Sequence, residues 1–378
     1  MNRRTRRLLF LFSDTGGGHR SAAYAVIQAL HDLHGEQAHV ELMDALINYA
    51  PWPFSRLGKI YPHLVRLRGW LWAAGYHLSD GPRRVRLLTD GCWSFVRASL
   101  LRLLRDHPSD AIVCCHPILN HLLRRALAET HTPLITLVTD LDTAHAFWIA
   151  PGVTRCLVPT ARVQRRALAC GLPVERVLVT GLPVNPTFVA TAREDQRAVR
   201  RRLGLRPDLP VALLVNGAEG MGALYRTSKA VASSGVQAQL VVVAGRNERL
   251  RDRLRSEAWP IPVQVQGFVP NIHEWMRAAD VLVTKAGPST ISEALVVGLP
   301  MVLSGALPGQ ERPNVGYVVQ AGAGVWAPAP RRAAAEVREL LTPGNRKLTQ
   351  MAACARSLAQ PDAARRVAEI IWATANDV

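Results

Sequence analysis

The sequence predicts an α/β protein built as two doubly wound domains. Three observations carry this. Apolar runs of strand length alternate with helix-length amphipathic stretches, the runs fall into two series, and each series opens on a strand followed by a glycine-rich turn.

The first series is "LLFLF" (8–12), "HVELM" (39–43), "AIVCC" (111–115), "LITLVT" (134–139), "RCLVP" (155–159) and "RVLVTG" (176–181). The second is "VALLVN" (211–216), "QLVVVAG" (239–245), "VQVQGF" (263–268), "DVLVT" (280–284) and "PMVLS" (300–304). Such runs suit strands buried on both faces of a parallel sheet. The boundary is expected near "GLPVNPTF" (181–188), where Pro183 and Pro186 interrupt regular structure. This gives domains at 1–185 and 186–360, with a helix over 361–378.

The chain has 378 residues and a formal net charge of +17. Such a charge admits nucleic acid, an anionic membrane surface or phosphorylated substrates as partners. Nothing resembles a recognition helix or an aromatic RNA-binding strand motif, so no nucleic-acid partner is expected. Six cysteines occur with no Cys-x-x-Cys pair, which argues against a disulfide framework or a zinc site. A reducing compartment is expected. "MNRRTRRLLFLF" is too short in its apolar part for a signal peptide, and no run reaches the roughly 20 apolar residues of a spanning helix.

Residues 51–107 differ from the rest. They hold Trp52, Trp70, Trp72 and Trp93, and Arg or Lys far outnumbers Asp. Basic residues interleaved with Trp, Phe and Leu suit an interfacial segment on an anionic bilayer. The mixture equally suits stacking on single-stranded nucleic acid or a helical subdomain with arginines on its wet face.

Several residues can carry chemistry. In "SDTGGGHRSAA" the turn Gly16, Gly17 and Gly18 lets backbone and ligand approach closely, and His19 stands near the start of a helix expected from about Ser21 to Leu33. The helix field there disfavours imidazolium, and a neutral histidine is what a general base requires; a capping or packing histidine is the alternative. "AGPSTISEAL" is a second strand–turn–helix, in which Ser289 or Thr290 can cap. Glu293 either stabilises that helix or accepts from the vicinal hydroxyls of a ribose. "PGQE" offers Gln310 and Glu311 for reading sugar hydroxyls. In "TDLDTAHAFW", Asp140-Leu141-Asp142 is formally an Asp-x-Asp, but no metal is expected; Asp140 or His145 is placed to orient His19 or to meet an acceptor.

The chain resembles the diacylglycerol glycosyltransferases, the group of monogalactosyldiacylglycerol synthases and processive diacylglycerol glucosyltransferases. The resemblance rests on "SDTGGGHRSAA", "TDLDTAHAFWIAPGVTRCLVPT", "GLPVNPTF" and "TKAGPSTISEAL…GLPMVLSGALPGQERPNVGYVV", in this order over most of the chain. It implies a GT-B glycosyltransferase: two Rossmann-like domains facing across a cleft, the last helix returning to the first domain. It implies an inverting, metal-independent transfer of a hexose, galactose favoured over glucose, from a UDP-sugar to the 3-hydroxyl of diacylglycerol. No cofactor is implied. His19 is the implied base, Glu293 the ribose ligand, and Gln310 and Glu311 the sugar ligands. Phe268 and Val269 are placed at uracil, and Gly287, Pro288, Ser289 and Thr290 at the diphosphate, with Gly217 and Gly222 also on the donor side. Ser289, Asn216 and Ala218 depart from the family's glycines and add side chains there. Residues 51–107 fall where the family faces the membrane, so a peripheral enzyme on the cytoplasmic side is expected. A monomer and a homodimer are both compatible with the sequence. The alternative acceptor is a polyprenyl-linked or sterol alcohol.

Overall fold

The computed structural model describes residues 5–13, 18–52, 69–218, 220 and 222–377. Gly16 and Gly17, and residues 53–68 of the Trp-rich segment, lie outside them. The chain divides into two compact units: Met1–Pro186 with Pro308–Gln310 and Asp362–Val378, and Thr187–Leu307 with Glu311–Pro361.

The first unit holds a six-stranded sheet of β1 (Arg6–Phe12), β2 (Ala38–Asp44), β3 (Ala111–Cys114), β4 (Leu134–Leu137), β5 (Arg155–Val158) and β6 (Val177–Val179), in the order β2-β1-β3-β4-β5-β6. All its pairings are parallel. Side chains alternate across a strand, and β1 uses both faces. Leu8, Phe10 and Phe12 pack with Val26 and Leu30 of the helix Gly18–His34 and with Val367 and Ile371 of the final helix, Ala363–Asn376. Leu9 and Leu11 belong to the core on the other face, with Leu123, Val163 and the helix Pro82–Asp106. Burying each large apolar side chain contributes about 1.5–3 kcal/mol.

The helix Pro82–Asp106 shows why residues 51–107 read as they do. Val85, Thr89, Val96, Leu100 and Leu103 are buried at helical spacing. Its other face leaves Leu87, Leu88, Phe95 and Leu101 exposed beside exposed Arg83, Arg84, Arg86 and Arg97. Trp52 and Trp70 are each 71% exposed, whereas Trp72 is half-buried. Trp93 departs from the membrane-facing set: it packs against the core, with the Arg125 guanidinium 4.6 Å from its ring centre.

The second unit holds β7 (Val211–Val215), β8 (Gln239–Val243), β9 (Val263–Gln266), β10 (Val281–Lys285), β11 (Met301–Gly305) and β12 (Gly324–Trp326), parallel, in the order β12-β11-β10-β7-β8-β9. β12 escaped the sequence reading because it has only three residues and no apolar run. Two glycines lock the turns after β7 and β8 together. Gly220 has φ 55° and a Cβ there would lie 2.3 Å from the Ala244 carbonyl oxygen; Gly245 has φ 62° and would meet Ala218 O at 2.1 Å. No side chain fits either position.

Among the described residues no helix is long and apolar enough to cross a membrane. All six cysteines are free thiols.

Candidate functional site

In an open parallel sheet, ligands bind beyond the carboxyl ends of the strands, where the strand order reverses. In the first unit that point lies between β1 and β3. The chain after β1 carries His19, and the residue before the helix Pro117–Ala126 is His116. The two rings meet edge to face, centroids 5.1 Å apart. The Trp148 ring lies 5.7 Å from His19. His19 Nδ1 is 2.7 Å from Thr139 Oγ1, two residues beyond β4. His19 is 9% exposed, and burial lowers its pKa from the ordinary 6.5 to about 4. His116 is also held neutral, first by burial and then by repulsion from His19.

Among the described residues neither Asp140 nor His145 hydrogen-bonds to that ring. Asp140 Oδ2 accepts from Trp148 Nε1 at 2.8 Å, and its Oδ1 accepts from Gln310 Nε2 at 3.2 Å, within the same unit. Asp142 accepts from Arg162 at 2.8 Å. His145 is saturated. Its Nδ1 accepts from Phe147 N at 3.1 Å, and its Nε2 lies 3.1 Å from both Tyr76 O and Ser79 Oγ. Asp80 joins the same knot by accepting from Ala146 N and Arg166. His145 therefore ties the helix Gly69–Ser79 to the loop after β4, and the hydrogen bond to His19 comes from Thr139.

In the second unit the order reverses between β7 and β10. Lys285 ends β10 and forms an ion pair with Glu311. Glu311 is 3% exposed and also accepts from Leu307 N at 2.9 Å. Glu311, expected at sugar hydroxyls, thus has both oxygens engaged and anchors a lysine. Glycines crowd that lysine: a Cβ on Gly217 would be 3.5 Å from Lys285 Cε, and one on Gly287 would be 3.1 Å from Lys285 Nζ. Gly217 and Gly222 both hold positive φ, and the Asn216 amide lies beside Gly222, its Oδ1 buried with no hydrogen-bond partner among the described residues.

The helix Pro288–Val297 starts at this point with Gly287 as its N-cap and no side-chain cap. Neither Ser289 nor Thr290, the two capping candidates of the sequence, is the N-cap: Pro288 occupies the first helical position and places both inside the first turn. Ser289 Oγ is buried and has no hydrogen-bond partner among the described residues. Glu293 lies a turn further on and makes no hydrogen bond among the described residues. Burial raises its pKa to about 8. Phe268 is 56% exposed, with the Arg246 guanidinium 4.9 Å from its ring centre, and Val269 beside it is half-buried.

The monogalactosyldiacylglycerol synthase profile matches residues 19–184, and that of the glycosyltransferase family 28 C-terminal domain matches residues 213–367. Monogalactosyldiacylglycerol synthase 1, chloroplastic, of Arabidopsis thaliana is 36% identical over 376 residues, covering 96% of this chain and 70% of that protein. The spinach (Spinacia oleracea) monogalactosyldiacylglycerol synthase is 38% identical over 375 residues, covering 96% and 71%.

The chain belongs to the monogalactosyldiacylglycerol synthase family.

Solved structures agree on the fold. MurG of Acinetobacter baumannii superposes with a TM-score of 0.62 at 16% identity, covering 97% of this chain and 99% of that one. S. aureus MnaA, solved with UDP, gives 0.64 at 14% identity, covering 99% and 98%. The fold is GT-B. Within this diacylglycerol glycosyltransferase frame, sequence reasoning passed over Thr139, His116, Trp148 and Lys285. Lys285 had a visible signal, since it stands directly before the glycine turn of "TKAGPST".

Proposed function

We propose that the protein is an inverting, metal-independent glycosyltransferase that moves a hexose, with galactose favoured, from a UDP-sugar to the 3-hydroxyl of 1,2-diacylglycerol. The observation that carries the reading is His19. It is a neutral imidazole at the switch point of the first unit, held at one ring nitrogen, in a chain aligned along 95% or more of its length with plant galactolipid synthases.

In this reading the acceptor hydroxyl gives its proton to His19 as its oxygen attacks carbon 1 of the sugar. The bond from that carbon to UDP breaks and the electron pair leaves with UDP. Negative charge grows on the diphosphate. The Lys285 ammonium and the N–H groups opening the helix Pro288–Val297 are positioned to stabilise it without a metal. Glu293 accepts from the ribose.

Burial gives Glu293 its own pH signature. With its pKa raised to about 8, the carboxyl is protonated at neutrality, and the acceptor of two hydroxyl bonds appears as pH rises through that value. UDP affinity measured calorimetrically is expected to increase from pH 7 to 9, and Glu293→Gln to flatten the rise. An unchanged slope in the variant separates Glu293 from the ribose.

The exposed apolar and arginine face of the helix Pro82–Asp106, with Trp52 and Trp70, is proposed to dock on anionic lipid. Vesicle binding is expected to weaken sharply between about 0.05 and 0.5 M salt. Salt-independent binding removes the electrostatic part of this docking.

The deciding experiment is transfer to dioleoylglycerol in anionic vesicles, with UDP-galactose and UDP-glucose in parallel and EDTA present. Product from UDP-galactose is expected. Retained UDP binding with no product from either donor discards the acceptor and turns attention to polyprenyl-linked and sterol alcohols.

A further inference from the structure

A histidine acting as a base needs one bare ring nitrogen, and the hydrogen bond at the other nitrogen decides which one it is. In this protein Nδ1 is the occupied nitrogen, 2.7 Å from Thr139 Oγ1. Thr139 is 2% exposed and is the hydrogen-bond partner of His19 among the described residues. The neighbouring carboxylate, Asp140, is turned to the Trp148 indole. The rings of His116 and Trp148 also pack against the imidazole, centroids 5.1 and 5.7 Å away.

We propose that Thr139 is the positioning residue of the transfer reaction: its oxygen accepts from His19 Nδ1–H and leaves the Nε2 lone pair as the base for the acceptor hydroxyl. This rests on the reading of His19 as the base. Nδ1 carries hydrogen both before and after the proton arrives at Nε2, so one geometry serves the whole step. A carboxylate in place of the hydroxyl would favour imidazolium and raise the histidine's pKa. A neutral hydroxyl orients the ring and adds no such charge. The proton passes from the acceptor hydroxyl to Nε2, the acceptor oxygen bonds to carbon 1, and UDP departs with the electron pair.

Thr139→Val keeps the shape and removes the hydrogen bond; Thr139→Ser keeps the bond. Val is expected to lower kcat about 10–100-fold, the scale of a hydrogen bond to a group that becomes charged, with both KM values within about twofold. Ser is expected to retain most of the rate. A packing role alone would spare Val and penalise Ser. Nitrogen-15 NMR of histidine-labelled protein reads the tautomer directly. The wild type is expected to show His19 protonated at Nδ1 and bare at Nε2, and Val to lose that preference. Wild-type kcat in Val, or an Nε2–H tautomer in the wild type, overturns the proposal. His19→Ala separates the two readings. If it is active, the base assignment falls; if it is inactive while Thr139→Val is unimpaired, only the positioning role falls.

Discussion

His19→Ala is expected to lower hexose transfer by about 10²–10⁴-fold, the usual contribution of a positioned general base. UDP affinity should change by no more than about twofold, because the residues proposed to grip the uracil, ribose and diphosphate all belong to the second unit. Labelled-sugar transfer and calorimetric UDP titration check the two halves separately. The wild-type pH profile adds a sign. Burial puts the His19 pKa at about 4, so the base stays neutral as pH falls from 7 and is lost only as pH drops through that value. Near-normal turnover in the alanine variant removes His19 from the chemistry.

Lys285→Met is expected to damage two properties at once, and a second substitution separates them. The lysine is the charge partner of Glu311, a carboxylate 3% exposed. Stripping one member from a buried pair leaves an uncompensated charge and costs about 3–5 kcal/mol; the lysine's partial exposure points to the lower end. For a unit of this size that corresponds to a fall in Tm of roughly 6–12 °C. Lys285→Met/Glu311→Gln removes the orphan charge while the amide oxygen still accepts from Leu307 N, so most of the Tm should return. UDP affinity should stay about tenfold or more below wild type, since the ammonium proposed to face the diphosphate is still missing. Recovery of both properties in the double variant makes Lys285 a purely structural lysine.

The sequence exposes those parts of this protein whose physics is local. "LLFLF" and "VALLVN" read as strands because a strand buried on both faces has to be apolar throughout, and β1 and β7 lie there. "GVW" at β12 carries no such pattern. His19 stood out because a glycine turn at a strand end is a local device for admitting a ligand. Its partner did not, since Thr139 lies 120 residues away and only tertiary packing delivers it. Asp140 and His145 drew attention as titratable neighbours in one short string. Their bonds to Trp148 and to the helix Gly69–Ser79 are set by the fold around the loop. Glu311 reads in the sequence as a loop carboxylate at a strand's end; its burial and its pairing with Lys285 come from the fold.

The final helix, Ala363–Asn376, packs beside Leu8, Phe10 and Leu30, and its Ala364, Val367, Ala368, Ile371 and Ala375 are part of that core. A ribosome therefore finishes this molecule out of order. Residues 1–186 emerge first, yet their apolar face waits for a segment made nearly two hundred codons later, while all but three residues of 187–361 belong to one unit that can close as it appears. The half of the protein that is born first matures last. In the interval it presents a sticky surface that a chaperone, or a misplaced neighbour, can find.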